Sequence, residues 1–144
     1  MSFVYIISLV LSMLWFVGIF AAPYLTHISE HYSFLYYIYS FVCHQDPARS
    51  FHLWGYKLGV CSRCTGIYSG ALFFILAFPF WKPKLNARNV IILFVPLLVG
   101  KLMEKITGFS TNVERFISGF PFGIVVGMGF LYGLEALIGG LNEG

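Results

Sequence analysis

Charge is what this sequence has least of. Nine Lys/Arg and six Asp/Glu leave 10% of the 144 residues charged, against about a quarter in an ordinary soluble domain. So few ionic side chains cannot clothe a water-facing surface, which excludes a disordered chain and an ordinary cytosolic enzyme. The formal net charge of +3 is small and scattered, which excludes a nucleic-acid platform. A Gly-rich phosphate loop, a Ser-His-Asp arrangement and a dinucleotide fingerprint are all missing. Cysteine is scarce: three cannot all pair internally, which argues against a purely structural disulfide framework. What the sequence does hold is apolar bulk, 58% hydrophobic and 19% aromatic. The expectation is one integral membrane domain over residues 1–144, multi-pass in the cell membrane, with the lipid bilayer as its first partner.

A helix needs roughly 20 apolar residues to cross the hydrocarbon core. Residues 3–22 form such a run, which Pro23 is expected to break. No Lys or Arg precedes it, so it lacks the charged start of a secretory signal peptide and is read as a retained first span. Further spans are expected at 64–81, 90–106 and 116–138. The third must continue through Lys101, Glu104 and Lys105, which share one helical face and would point into a bundle or reach back to the interface. Between the first two spans, the aromatic run 34–42 is too short to cross and reads as an interfacial or re-entrant helix. The fold class is therefore an all-α membrane protein, a bundle of about four transmembrane helices plus that short helix.

Glycine spacing supports close packing in such a bundle. Gly119, Gly123 and Gly127 make two GxxxG steps, and Gly66 and Gly70 another. Small residues four apart let helix backbones approach in lipid, so the second and fourth spans are expected to pair. Four crossings also put residues 43–64 and 101–115 on the same membrane side. That side carries the greater share of Lys and Arg, which leans it toward the cytoplasm.

The chemistry-bearing residues gather on that side. Cys61-Ser62-Arg63-Cys64 is a CxxC at the expected start of the second span, and Cys43 lies 18 residues earlier. Cysteines at i and i+3 can share one metal ion, and the positive end of a helix favours thiolates. Cys43 is a natural third ligand, with His44 or His52 as fourth; a Cys3His set is a common tetrahedral zinc pattern, with iron as the other metal such donors take. A redox CxxC with Cys43 as resolving thiol, or inert packing of small apolar thiols, are the other readings. Arg49, Arg63 and Arg115 lie near the same membrane boundary. Arginine keeps its charge, so there it needs an anion: either Asp46, Glu104 and Glu114, or a phosphate- or carboxylate-bearing substrate, with Gln45 beside it. His27-Ile28-Ser29-Glu30-His31 matches the HxxEH pattern of inverted zinc peptidases, but without an identifiable third ligand it reads better as a polar interfacial linker.

At these residues the sequence resembles a family of small bacterial and archaeal membrane proteins catalogued as a domain of unknown function. The resemblance rests on Cys43, His44, Gln45, Pro47, Arg49, Ser50 and Phe51, then Gly59, then Cys61, Arg63, Cys64, Thr65, Gly66, Ile67, Tyr68 and Gly70. A looser downstream part is similar at Asn112, Arg115 and Gly119. The family often carries an Asp-Gly pair in the third span, where this chain has Val99-Gly100. The resemblance implies that the CHQ and CxRC blocks belong to one site. It implies no activity, and HxxEH is outside its signature.

Three classes of function are therefore expected to compete. The metal is catalytic, with the three arginines holding an anionic or lipid-headgroup substrate. Or it is structural, in an accessory or transport subunit of a membrane complex or a homo-oligomer. Or the CxxC is a thiol–disulfide relay of the membrane.

Overall fold

A computed structural model of the chain describes residues 3–29, 34–80 and 86–142. Five α-helices organise the described residues: α1 (Phe3–Ile28), α2 (Phe34–Ser40), α3 (Ser62–Ala77), α4 (Ala87–Thr107) and α5 (Asn112–Asn142). Two of them, Phe3–Ile28 and the Asn112–Ile138 part of α5, are long and apolar enough to cross a membrane. The stretches expected as spans at 64–81 and 90–106 overlap α3, which ends at Ala77, and α4; Trp81 lies outside the described residues. At 16 residues, α3 rises only about 24 Å.

α1 outruns the expectation. Pro23 does not end it; the helix continues to Ile28, with Ala22 and Pro23 buried. A proline has no N–H, so the carbonyl four residues back loses its helical donor. Here that carbonyl belongs to Ile19, and it accepts the backbone N–H of Gly59 from the following loop at 3.0 Å. The proline thus leaves an acceptor on which the loop docks.

α3 and α5 pack along the glycine positions. A Cβ on Gly66 or Gly70 would run into the carbonyl oxygens of Phe116 and Phe120, and one on Gly119 or Gly123 into those of Arg63 and Ile67. One on Gly127 would come within 2.7 Å of the Ala71 carbonyl oxygen. Backbone therefore lies on backbone, as the GxxxG spacing requires. α4 leans on α5, where Gly100 makes room for Ser118. α1 packs on α3 and α5 through a cluster of Tyr5, Phe74, Ile75, Met128 and Leu131. The other faces of α1 and α4 remain apolar and outward: Leu11, Leu14 and Val17 on one, Ile91, Val95 and Leu98 on the other.

The connection between α1 and α3 is not wholly helical. After α2 comes a short 3-10 turn, Pro47–Arg49, capped by the Asp46 carboxylate accepting the Ala48 N–H. A two-stranded antiparallel hairpin follows, β1 (His52–Leu53) and β2 (Tyr56–Lys57), an addition to the all-α expectation. Its two-residue turn places both Trp54 (φ +52°) and Gly55 (φ +82°) in the left-handed region, as tight hairpins require. Trp54 is held there by ring contacts with Tyr24 and His27 of α1. Glu30 and His31 of the HxxEH pattern lie outside the described residues. α5 starts at a reciprocal cap: Glu114 accepts the Thr111 N–H at 2.8 Å while Thr111 Oγ1 accepts the Glu114 N–H. Such a Thr-x-x-Glu box satisfies two of the four free N–H groups at a helix start.

Candidate metal centre

Cys61 is the residue from which α3 begins, so the i, i+3 spacing puts Cys61 and Cys64 on its first turn. Cys43 arrives from the other side, on the chain leaving α2, where its N–H bonds the Tyr39 carbonyl at 3.0 Å. The three sulfurs lie within 4.8 Å of one another. Around a tetrahedral zinc with bonds of about 2.3 Å, sulfurs sit about 3.8 Å apart, so small adjustments would seat an ion.

Cys43 Sγ accepts the backbone N–H groups of Cys61 (3.1 Å) and Gln45 (3.4 Å). Hydrogen bonds from the Cys61 and Cys64 thiols, helped by those two N–H groups and opposed by burial, hold the Cys43 thiol well below the usual thiol range. A sulfur prepared as a thiolate is what a metal takes as ligand.

Gln45 holds this loop in shape. It has φ +52°, and its side-chain amide donates to the carbonyls of Tyr36 (2.6 Å) and Gly59 (2.9 Å). Lys57 Nζ closes the clasp on the Gln45 carbonyl at 2.7 Å. Gly59 is hemmed in by Tyr39 and the Ile19 backbone, where a Cβ would sit only 3.0–3.3 Å from them. Both residues belong to the segment that the sequence singles out, and the reason is now physical: they fix the distance between Cys43 and Cys61.

The histidines do not join the sulfurs. Among the described residues, no histidine completes the three-cysteine group. His44 lines the same cavity as the cysteines. His52 sits on β1 and faces a separate apolar cavity with Phe20, Leu58 and Val113. His27 stacks on Trp54 instead of meeting a metal ligand.

The arginines do converge. Glu104 of α4 receives Arg63 Nη2 at 2.7 Å, Arg115 Nη2 at 3.0 Å and Arg49 Nη1 at 3.6 Å. Arg49 also meets Asp46 at 3.2 Å. Of the expected acidic partners, Glu114 is absent because the α5 cap uses it. Asn112 accepts from Arg115 at 3.2 Å and donates to the Ser50 carbonyl at 3.0 Å, tying α5 to the CHQ segment. The Nε groups of Arg63 and Arg115 are buried without a partner. All three arginines line a cavity of about 470 Å³ whose wall includes the three cysteines and Lys101. Sulfur donors and guanidiniums thus share one space. The role of Glu104 as hub was missed in sequence because its reach to Arg63 spans 41 positions.

Two relatives of the chain are uncharacterized proteins. An uncharacterized protein of Methanocaldococcus jannaschii is 38% identical over 136 residues, covering 85% of this chain and 86% of that one. An uncharacterized protein of Methanothermobacter thermautotrophicus is 36% identical over 91 residues, 60% of this chain and 81% of its own. No solved structure matches. Residues 43–129, from the first site cysteine through most of α5, match one family model, and the chain belongs to that family, described as "Predicted membrane protein (DUF2085)".

Proposed function

We propose that the chain is a multi-pass protein of the cell membrane that crosses it four times, with α2 at the interface. In this reading Cys43, Cys61 and Cys64 hold one metal ion, zinc first and iron second. Beside it, Arg49, Arg63 and Arg115 take an anionic or lipid-headgroup substrate. The observation that carries the reading is the shared cavity: three sulfurs within 4.8 Å of one another on a wall that also presents three guanidiniums.

The donor set suits such an ion. Three thiolates would leave a fourth position on the ion, and His44 lines the cavity that the cysteines share. Three protein ligands with an open position are the arrangement of catalytic zinc, and closed four-ligand coordination that of structural zinc. An ion bound there would polarise a bound oxygen or lower the pKa of a bound water. The protein's own part is to hold a negative group beside it, since guanidiniums bind oxyanions through several directed N–H bonds. Gln45 acts on this site through the loop, because its amide is taken up by backbone carbonyls.

Elemental analysis of the purified chain, paired with thiol titration, tests the metal. The expected result is close to one zinc or iron per chain, lost on Cys43→Ser, as stoichiometric binding by a single site requires. A metal-free preparation with all three thiols freely reactive would sink the reading. A Cys61–Cys64 disulfide that reduces reversibly would replace it with the thiol relay. Closed four-protein-ligand coordination, in a chain recovered only with other subunits, would replace it with the accessory role.

A further inference from the structure

The cavity has two chemically different ends. One is cationic: Arg49, Arg63, Arg115 and Lys101 line it with one carboxylate, Asp46, while Glu104 pairs with the arginines from outside the wall. A zinc–tris-thiolate unit would carry one further negative charge, so positive charge is in excess with or without the metal. The other end is apolar, walled by Ile67 of α3, Leu97 of α4 and Phe122 of α5. α3 and α4 barely touch; each packs on α5 instead, and the Arg63–Glu104 pair bridges them at one end. The space between them is therefore a seam. Beside it, α4 turns Ile91, Val95 and Leu98 outward, as a lipid-facing helix does.

We infer that the site takes a phosphate-bearing lipid, which enters sideways through the α3–α4 seam with its phosphate among the arginines and Lys101 and its chain against Ile67, Leu97 and Phe122. A carboxylate presents two oxygens in a plane, and Glu104 already fills that role. The other cations on the wall come from separate elements: Arg49, more than half exposed, on the 3-10 turn, and Lys101 on α4, beside the guanidiniums of Arg63 and Arg115. A tetrahedral phosphate, with acceptor oxygens pointing several ways, meets such donors better than a second carboxylate would. The apolar end next to it favours an amphiphile over a free ion. The inference deepens the proposed substrate class and rests on that reading for its cationic end, but not on the metal.

Native mass spectrometry of the full chain in maltoside micelles is the test, with dioleoyl phosphatidic acid, inorganic phosphate and dioleoylglycerol as three separate probes. The expected result is one phosphatidic acid per chain, held at least about tenfold more tightly than phosphate, with no diacylglycerol retained. Lys101→Gln and Arg49→Gln should each weaken that binding by roughly three- to tenfold and leave the metal content unchanged. Leu97→Trp, which fills the apolar end, should abolish lipid binding and spare phosphate. Phosphate bound as tightly as phosphatidic acid, with no effect of Leu97→Trp, would overturn the inference in favour of a soluble anion. Lipid binding indifferent to both cation variants would overturn it as well. One phosphatidic acid bound to a metal-free chain would support the lipid site while removing the metal reading alone.

Discussion

Glu104 serves three guanidiniums with two oxygens, and its side chain is only 14% exposed. In such surroundings the arginines depend on it more than it depends on any one of them. Glu104→Gln keeps the shape and removes the charge, leaving Arg63 and Arg115 buried with no carboxylate in contact among the described residues. The expected loss is about 3 kcal/mol, the usual scale for breaking one side of a buried ion pair. Thermal unfolding in detergent should show it as a clear fall in Tm, with Glu104→Asp intermediate. An unchanged Tm would mean that the arginines find other anions as readily. At this scale the sequence was partly legible. The three arginines and two of their acidic partners stand out because intramembrane charge is rare and must be paired. That one carboxylate serves all three was not visible, since the pairs join residues on separate helices.

Helix pairing was the most readable property among the elements. Gly66, Gly70, Gly119, Gly123 and Gly127 mark the α3–α5 contact in sequence because close backbone approach excludes a Cβ. The same geometry separates these glycines from others in α5. Gly123→Val is expected to disrupt the pair and cost more than about 4 kcal/mol, since backbone would have to move. Gly129, with nothing within 4 Å of the Cβ it would gain, is the contrast. Gly129→Ala should be neutral or stabilising by up to about 1 kcal/mol through helix propensity. Parallel unfolding of the two variants decides this, and equal effects would mean that the close approach is not what holds α3 on α5. Other elements were harder to read. The hairpin rests on four paired residues and a Trp-Gly turn, too short for alternation to register and without the usual Asn-Gly signal. Pro23 looked like a helix end because its local rule is strong, and a tertiary hydrogen bond offset the rule.

The whole molecule places the end of α1, the start of α3, the end of α4 and the start of α5 together. The contacts that show it are Trp54 of the site loop on Tyr24 and His27, Arg63 on Glu104, and Asn112 on Ser50. If α1, α3, α4 and α5 each cross the bilayer, the α3–α4 connection must emerge on the opposite side from this cluster. Cysteines introduced singly at Asn86 and at Phe109, probed with an impermeant maleimide on intact and on opened cells against the unsubstituted chain, whose own three thiols set the background, should label from opposite faces. Labelling of both from the same face would rule out four crossings.

The bond between Gly59 and the Ile19 carbonyl joins residues 40 positions apart in the chain, and that interval has a consequence in time. α1 is synthesised, and on the proposed topology inserted, before Gly59 exists. Until it arrives, hydrocarbon offers the bared carbonyl nothing to bond, and such a group costs several kcal/mol in lipid. On that topology the nascent helix would wait with an unbonded carbonyl that the site loop later satisfies. Supplying that donor also brings Cys61, two residues on, to Cys43. On the proposed topology, completion of α1 and assembly of the thiol cluster would then be one event, set off by the N–H that Pro23 lacks.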